Sequence, residues 1–281
     1  MNIAVLITCH NRKAKTLACL EHLFKAEIPE GYEIEVFLVD DGSTDGTSVA
    51  VQENYPTVNI IQGTGNLFWN RGMRLAWETA AKTKEYDFYL WLNDDTNIDN
   101  DAIVHLLECY NEILLINKKS NVIVGACRNS LEQNEFSYGG RDKKGPVLPN
   151  GKLQSCKYIN GNIVLISGQI FKKAGNLSAD YTHAIGDFDY GLRVIQEGFQ
   201  CHTTKNFIAT CLSNNKFPQW CNPKENIFKR WKAFHSPLGL NISEYKIFIK
   251  KFWPKQYLIF ILKAYVKCIF PMLYHKFSFK K

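Results

Sequence analysis

The first two thirds of the chain alternate short apolar runs with polar turns and amphipathic stretches. Ile3–Ile7 is an apolar run that ends in a polar turn, and apolar residues then recur at helical spacing over Lys13–Ala26. The same succession is repeated along the chain. Further strands are predicted at Ile34–Val39, Val58–Ile61, Asp87–Leu92, Val122–Cys127 and Ile163–Ile166, and further helices around Val49, at Trp69–Lys82, Asp101–Asn117 and Gly168–Ala174, and up to Gln196. This alternation predicts an α/β fold with a mainly parallel sheet and helices on both faces.

Polar clusters follow three of the predicted strands, at the point where each strand ends. They lie at residues 8–12, 40–45 and 93–95. Because the carboxyl ends of parallel strands meet at one edge of a sheet, and ligands collect there, we expect these clusters to share one rim. Residues 129–154 are rich in Gly, Lys, Asn and Pro, and we expect them to form a loop or hairpin excursion.

The composition is that of a globular protein with an appendage. With 46% apolar and 22% charged residues among 281, the chain can bury a core of ordinary size. The length suits two domains, or one large α/β domain with an extension. The composition changes near Asn222 and Pro223, so we predict an α/β domain over residues 1–222 and a basic helical extension over residues 223–281.

The net charge of +7 is unevenly distributed. Residues 224–281 hold 13 lysines and arginines against two acidic residues, a net charge of +11, whereas the remainder has 21 basic and 25 acidic residues, a net charge of −4. Such a basic segment favours an anionic partner, either a phospholipid surface or nucleic acid. The aromatic and aliphatic residues between these lysines favour lipid, and we expect no nucleic-acid partner.

The end of the extension is predicted to contain an apolar helix over Tyr257–Tyr274. Gln256, Lys263 and Lys267 fall on one face of it, which is typical of a helix that lies in the membrane interface. Packing onto the body of the protein, or onto a second copy in a homodimer, would also suit this pattern. A transmembrane span is disfavoured by the two lysines and by Pro271. We therefore expect peripheral membrane contact through residues 242–281.

The cysteines and the N-terminus indicate a cytoplasmic protein. Nine cysteines are scattered without a C-x-x-C pair, which favours reduced, buried thiols over a disulfide framework or a zinc site. Met1 and Asn2 lead directly into the first apolar run, so no signal peptide is visible.

Two acidic clusters at the rim are candidates for ligand binding. Asp94 and Asp95 offer oxygen ligands suited to Mg²⁺ or Mn²⁺, although Asp is also common in solvated turns. Asp40 and Asp41, next to Gly42, could accept hydrogen bonds from a base or ribose, although this segment also suits a helix N-cap. Neither cluster identifies a ligand by itself.

Five motifs together resemble those of the inverting family 2 glycosyltransferases, which have the GT-A fold. They are TCHNR at 8–12, VDDGSTDGT at 39–47, GTGNLFWNRG at 63–72, LNDDT at 92–96 and HAIGDFDYGLR at 183–193. The third is similar to the G-x-G-N-L-W-W segment of a rhamnosyltransferase-like subset, and the fifth to an H-x-x-x-D-x-D-x-x-x-R block. The resemblance covers about residues 1–210. It implies a Rossmann-like, mixed nucleotide-binding sheet flanked by helices, and it implies that residues 1–222 form a GT-A glycosyltransferase domain.

The resemblance also implies roles for individual residues. By matched position, the donor nucleotide would be bound by Thr8, Asp40, Asp41, Asn66, Arg71 and Asp94. Asp95 would bind the divalent metal, Mg²⁺ or Mn²⁺. Arg71 would otherwise be a surface residue of its helix.

The resemblance implies that Asp187 is the general base. In an inverting transfer, one carboxylate deprotonates the acceptor hydroxyl as it attacks the anomeric carbon. Asp187 could also cap the helix that begins there, and both roles could hold together. His183, Asp189 and Arg193 are expected to contact or orient the acceptor, and Arg193 lies one helical turn after Asp189, where the two could pair.

The chain departs from the family pattern at two positions. Asn93 stands where the first Asp of the metal motif is usual, and Cys211 lies near the place where many relatives carry a metal-binding His. His202 is the nearest upstream histidine. We expect it to be structural and leave it out of the metal site.

The resemblance therefore implies a metal-dependent, inverting transfer of one hexosyl or deoxyhexosyl unit. The expected donor is a UDP- or dTDP-sugar, and the expected acceptor is a lipid-linked surface polysaccharide such as an O-antigen or capsule unit at the inner face of the cell membrane. One alternative is a catalytically degenerate GT-A scaffold at the membrane, supported by Asn93 and by the missing late His. Another is a sugar nucleotidyltransferase, which should carry a Gly-rich basic loop that the first turn lacks.

Overall fold

The chain divides into two units. The first comprises Met1–Ala179 and Gly186–Ser213, and the second Asp180–Ile185 and Asn214–Lys281. The computed structural model describes residues 1–132, 135–214 and 217–272. The last part of the predicted extension and of its apolar helix, from residue 273 onward, lies outside the described residues.

The first unit is an α/β structure. Its strands are β1 (Asn2–Cys9), β2 (Glu33–Asp40), β3 (Asn59–Gln62), β4 (Phe88–Leu92), β5 (Asn97–Ile98), β6 (Asn121–Arg128), β7 (Phe136–Tyr138), β8 (Arg141–Asp142), β9 (Gly145–Pro146), β10 (Gln154–Cys156), β11 (Ile163–Ser167) and β12 (Gln200–Thr210). Its helices are α1 (Lys13–Lys25), α2 (Thr47–Asn54), α3 (Phe68–Thr83), α4 (Ala102–Asn117), α5 (Gly168–Ala174) and α6 (Gly186–Gln196).

A mixed sheet with the order β10-β12-β6-β11-β4-β1-β2-β3 runs through this unit. Strands β4, β1, β2 and β3 are parallel to one another, as the alternation of strands and helices predicts. Strand β11 is antiparallel to both of its neighbours, β4 and β6. The predicted loop or hairpin excursion at 129–154 contains the β8–β9 hairpin as well as the short strand β7.

Hydrophobic layers cover both faces of the sheet. Alternate residues of β1 point to opposite sides, so that Ile3, Val5 and Ile7 join one buried cluster and Ala4 and Leu6 join the other. The first cluster includes residues of α1 and α4, and the second includes residues of α3 and α6. This packing fixes the strand ends from which the polar turns extend. All nine cysteines are buried, as expected.

The second unit is helical. Its helices are α7 (Ile227–Phe234), α8 (Ile242–Phe252) and α9 (Tyr257–Ile269), with short 3-10 turns at Gln219–Cys221 and Pro254–Gln256. Phe234, Ile242 and Cys268 belong to its buried core. The buried Arg230 of α7 donates to the carbonyl oxygens of Cys268 at 2.7 Å and Ile269 at 3.2 Å, which satisfies the C-terminal end of α9. Over the described residues, no helix combines the length and the apolar character needed to cross a membrane.

Candidate functional site

The turns after β1 and β2 are joined by hydrogen bonds into one rim. The Asn11 N–H donates to Ser43 Oγ at 2.8 Å, and the Thr44 N–H donates to Asn11 Oδ1 at 2.8 Å. The Lys13 N–H, at the start of α1, donates to Asp45 Oδ2 at 2.9 Å. Two of the three predicted polar clusters are therefore in direct contact.

Asp40 lies under this rim, with only 1% of its surface exposed. Its Oδ1 accepts the Ser43 N–H at 2.8 Å, and its Oδ2 accepts the Ser48 hydroxyl. Its own carbonyl oxygen accepts the N–H groups of Gly42 and Gly63. Asp40 thus links the turn after β2 to α2 and to the loop after β3.

Asp41 organises the loop that leads from β3 to α3. Its Oδ1 accepts the Gly65 N–H at 2.7 Å, and its Oδ2 accepts the N–H groups of Leu67 at 2.8 Å and Phe68 at 3.0 Å. Only 4% of its surface is exposed. A carboxylate that accepts three backbone N–H groups holds the start of α3 in place. The same loop presents Asn66, which is exposed.

Thr8 and Arg71 lie near the same loop but differ in exposure. Thr8 is buried, and a Cβ added at Gly72 would lie 2.2 Å from its Oγ1, so α3 packs directly on β1 at Gly72. Arg71, the neighbouring residue, is exposed. Asn66 is thus exposed on a loop that Asp41 holds, whereas Thr8, Asp40 and Asp41 are buried and Arg71 is exposed on α3.

The carboxylates after β4 pair with two cations of the first loop and helix. Arg12 Nη1 lies 3.2 Å from Asp94 Oδ1 and 2.9 Å from Asp95 Oδ2, and Lys15 Nζ lies 3.6 Å from Asp95 Oδ2. Burial of Asp94 raises its pKa to about 7, because desolvation outweighs the favourable charge of Arg12, and the Asp95 charge adds to the increase. Sequence analysis missed Arg12 and Lys15, although Arg12 lies within the TCHNR motif.

The two departures from the family pattern have structural partners. Asn93 Oδ1 accepts the indole N–H of Trp69 at 2.7 Å. Cys211 Sγ lies 3.8 Å from Asp95 Oδ1, and burial raises the pKa of this thiol to about 12, so it is protonated at neutral pH. A neutral thiol stands beside the carboxylate where a His is usual in the family. His202 lies buried on β12, and desolvation lowers its pKa.

The carboxylates after β4 fit a divalent metal that takes most of its ligands from phosphate and water. Asp94 Oδ2 is buried and has no hydrogen-bond partner among the described residues, and Asp95 is partly exposed. Within the described ranges, no group of three His, Cys, Asp or Glu side chains could hold a metal ion. One or two carboxylates suffice for Mg²⁺ when diphosphate supplies further oxygens. The donor set therefore suits a metal bound together with a nucleotide.

Asp187 lies in the first turn of α6. Its Oδ1 accepts the Phe188 N–H at 2.8 Å, and its Oδ2 accepts the Gly161 N–H at 3.1 Å. Desolvation raises its pKa to about 6, although both hydrogen bonds favour the charged form. A carboxyl group with this pKa is mostly ionised at neutral pH and can still accept a proton, as a general base must.

Trp69 links Asn93 to the neighbourhood of Asp187. A Cβ added at Gly161 would lie 2.3 Å from Cζ2 of the Trp69 ring, so only glycine fits beneath the indole. The N–H of the same Gly161 donates to Asp187. The indole therefore lies between Asn93, which it contacts by its N–H, and the backbone that binds Asp187. Sequence analysis did not identify Trp69 or Gly161 as site residues.

Asp189 and Arg193 lie behind this site. Asp189 is fully buried, and Arg193 Nε donates to its Oδ2 at 2.6 Å, which is the pair that the helical spacing suggested. Arg193 also donates to the carbonyl oxygens of Ala174 and Asn176, and so joins α6 to the end of α5. His183 belongs to the second unit and is partly buried. Because Asp189 is fully buried, the expectation that it contacts the acceptor is wrong.

Comparison with known proteins gives a family and a fold. The model of glycosyl transferase family 2 matches residues 4–167. The chain is 27% identical over 187 residues to the poly-β-1,6-N-acetyl-D-glucosamine synthase of Staphylococcus epidermidis, a match covering 64% of this chain and 41% of the relative. It is 24% identical over 255 residues to the chondroitin synthase of Escherichia coli, covering 86% of this chain and 34% of the relative. The chain thus spans well under half the length of these two relatives.

Two solved structures of similar fold contain a nucleotide-sugar donor. The mannosyltransferase PcManGT of Pyrobaculum calidifontis, in complex with GDP-Man and Mn²⁺, has a TM-score of 0.57 at 15% identity, covering 93% of this chain and 73% of that protein. S. aureus TarS in complex with UDP-GlcNAc has a TM-score of 0.57 at 14% identity, covering 96% of this chain and 82% of that one. At this identity the likeness concerns the fold, which is the predicted GT-A α/β fold.

Proposed function

The chain belongs to glycosyl transferase family 2, and on that premise we propose that it transfers one sugar, with inversion, from a nucleotide-sugar donor to a polysaccharide acceptor. The observation that carries this proposal is the placement of Asp187. Its carboxylate lies at the start of α6, keeps two backbone hydrogen bonds and has its pKa raised to about 6.

Asp187 acts as the general base of the proposed reaction. It removes the proton of the acceptor hydroxyl while the hydroxyl oxygen attacks the anomeric carbon and the bond to the nucleoside diphosphate breaks. Gly161 and Phe188 hold the two carboxylate oxygens through their N–H groups. Asp189 and Arg193 orient α6 from behind, and His183 contacts or orients the acceptor.

The rim residues bind the donor. Thr8, Asp40 and Asp41 shape the nucleotide site from below, and Asn66, Arg71 and Asp94 offer polar groups to the ribose and diphosphate. Asp95 holds Mg²⁺ or Mn²⁺, which when bound neutralises the negative charge of the diphosphate. Arg12 and Lys15 lie beside Asp95 and add positive charge there.

The donor class follows from the motifs rather than from the site geometry. The GTGNLFWNRG segment at 63–72 resembles the rhamnosyltransferase-like subset, so we favour a UDP- or dTDP-linked hexose or deoxyhexose. The named relatives that make polysaccharides support a growing surface polysaccharide, such as an O-antigen or capsule unit, as acceptor.

A lipid-linked acceptor would agree with membrane contact by the extension. On α9, Leu258 is 78% exposed and Leu262 is 66% exposed, and the exposed Lys255 and Lys263 lie close to them in sequence. An apolar helix face bordered by lysines suits an anionic bilayer surface. We propose that residues 242–281 hold the enzyme on the inner face of the cell membrane, with a homodimer as the competing use of this face.

The deciding experiment is a nucleotide-binding screen. UDP, dTDP, GDP and CMP are added to the purified protein with and without Mn²⁺, and binding is followed by thermal shift and calorimetry. We expect one diphosphate to bind, more tightly with Mn²⁺, and the Mn²⁺ effect to disappear in Asp95→Asn. Failure of every nucleotide to bind folded protein would overturn the proposal and favour the scaffold alternative.

Membrane contact is tested separately by co-sedimentation with vesicles. Wild-type protein should bind vesicles containing anionic lipid at low salt, and Leu258→Ser combined with Leu262→Ser should weaken binding. Val49→Ser is the matched control, because Val49 is 63% exposed on α2 of the other unit. Equal sedimentation of all three proteins would contradict this anchoring surface.

A further inference from the structure

The segment that leads into α6 is packed by the C-terminal extension. Asp180–Ile185 belongs to the second unit together with α8, and the chain then enters α6 at Gly186. Tyr181 is fully buried, and Thr182 has 6% of its surface exposed. We call residues 180–185 the base loop, because Asp187 follows it by two residues.

Glu244 of α8 fixes the base loop through a single carboxylate oxygen. Its Oε1 accepts the Thr182 backbone N–H at 3.0 Å and the Thr182 hydroxyl at 2.5 Å. Glu244 has only 8% of its surface exposed, so these hydrogen bonds are shielded from water. One turn later on α8, the Phe248 ring meets the Tyr181 ring edge-on, with ring centres 6.4 Å apart. Two consecutive residues of the base loop are thus held by one face of α8.

Ile185, the last residue of the base loop, has an unfavourable backbone conformation. Its φ angle is +73°, which a β-branched residue rarely adopts because its Cβ crowds the backbone. Such a conformation persists only where the surrounding structure enforces it. The contacts of Thr182 and Tyr181 with α8 hold the chain three and four residues before Ile185.

We propose that Glu244 is a positioning residue for the general base, because it holds the base loop in the conformation that sets the first turn of α6 and hence Asp187. The proposal rests on the proposed role of Asp187. It gives the extension a part in the transfer reaction that is independent of any membrane contact. It also explains why a buried acidic residue lies in an otherwise basic segment.

The first test compares Glu244→Ala with Glu244→Gln. Alanine removes the acceptor oxygen, whereas glutamine keeps an oxygen at the same distance along the side chain. We expect Glu244→Ala to lower kcat by about tenfold to a hundredfold with the donor KM nearly unchanged, because only the geometry of the base is disturbed. Glu244→Gln should recover most of this loss. Glu225→Gln is the matched control, since the Glu225 side chain lies 3.4 Å from Lys229 in the same unit, away from the base loop, and the variant should keep wild-type turnover.

A milder pair of variants covers the case in which Glu244→Ala does not fold. Thr182→Val removes only the hydroxyl donor, and Thr182→Ser keeps it. Hydrogen exchange over residues 181–188 should be faster in Thr182→Val than in Thr182→Ser. Its kcat should fall about tenfold, in line with a displaced catalytic group.

Three results separate this proposal from the proposed function. Wild-type kcat and wild-type hydrogen exchange in folded Glu244→Ala or Thr182→Val would overturn the positioning role alone. Equal losses of donor binding and of thermal stability, without a selective loss of kcat, would also overturn it, because they indicate a merely structural contact. Wild-type turnover in Asp187→Asn would instead refute the general base, and the exchange measurement would still report on the base loop.

Discussion

The carboxylates that follow β2 and β4 hold similar places in the sheet but have different surroundings. Asp41 accepts three backbone N–H groups at 2.7–3.0 Å. Asp94 is equally buried, yet its Oδ1 receives one contact from Arg12 at 3.2 Å, and its Oδ2 has no hydrogen-bond partner within the described chain. The pKa of Asp94 is accordingly raised to about 7.

This difference separates carboxylates that hold the backbone of the site in place from carboxylates that can still bind a proton or a ligand. Asp41 shapes the loop that carries Asn66. The three backbone N–H groups of that loop offset its negative charge. Asp94 and Asp187 bear part of their desolvation cost uncompensated, and their raised pKa values are the result. The comparison predicts that removing a carboxylate of the first kind destabilises the fold. Changing one of the second kind should alter catalysis, or the dependence of catalysis or stability on pH.

Replacing Asp187 should have the largest effect. Asp187→Asn removes the proposed base but keeps the size of the side chain, so kcat should fall by about 10²–10⁴-fold while nucleotide binding remains. Single-turnover transfer and nucleotide titration of the same preparation measure the two quantities. A variant that turns over like wild type would remove Asp187 from the reaction.

The pH profile should follow the same residue. The base acts only when ionised, and its pKa is about 6, so kcat should fall as the pH drops below that value and level off above it. The acid limb should be lost from the residual activity of Asp187→Asn. Persistence of the same limb in that variant would assign it to another group.

Replacing Asp41 should mainly destabilise the fold. Asp41→Ala leaves three partly buried N–H groups without their acceptor, and we expect the free energy of unfolding to fall by about 4 kcal/mol. Urea unfolding measures the change. Glu78→Ala, which breaks only a surface pair with Lys82, should change the free energy of unfolding by less than about 0.5 kcal/mol. A stable but inactive Asp41→Ala would mean that Asp41 acts in catalysis rather than in the stability of the fold.

Replacing Asp94 should instead raise the free energy of unfolding. Its folded pKa of about 7 exceeds the ordinary 3.8, so the folded state prefers the protonated form. The stability that this preference contributes is fully present below about pH 4 and is lost as the pH rises through about 7. Asp94→Asn imitates the protonated form, so at pH 8 its free energy of unfolding should exceed that of wild type by about 4 kcal/mol.

The gap between Asp94→Asn and wild type should close between pH 7 and pH 4. Unfolding is measured in the presence of EDTA, so that metal binding does not contribute. Glu53→Gln is the control, because this carboxylate is exposed on α2 and lies outside the candidate site. A gap that is constant across this range would show that Asp94 is not responsible.

Whether the sequence predicts an interaction depends on how far apart its residues lie along the chain. The strand–helix alternation and the Asp189–Arg193 pair depend on local spacing, and both are confirmed. The rim follows from the general geometry of parallel sheets. The contacts of Arg12 with Asp94 and of Trp69 with Asn93 join residues 82 and 24 positions apart, and no local pattern reports them. The partners of Asp41 are backbone N–H groups, which every non-proline residue offers, so the sequence could not identify them.

Disrupting the contacts of Trp69 should have the smallest effect on kcat. It tests whether Asn93 is coupled to the backbone that binds Asp187. Trp69→Phe removes the N–H that Asn93 accepts and shortens the ring above Gly161. We expect kcat to fall by about tenfold, or about 1.4 kcal/mol, with the donor KM nearly unchanged. Trp231→Phe, in the second unit, should leave kcat at the wild-type value.

Gly161→Ala sharpens this test, because its Cβ would meet the benzo ring atoms Cζ2 and Cη2 of Trp69 at 2.3 and 2.6 Å. Phenylalanine has no atoms at those places, so the collision disappears in the double variant. Gly161→Ala combined with Trp69→Phe should therefore lose less activity than the two single losses added together. A double-variant cycle of kcat measures this coupling. Strictly additive losses would mean that Trp69 and Gly161 act independently, and that the indole does not connect Asn93 to the backbone that binds Asp187.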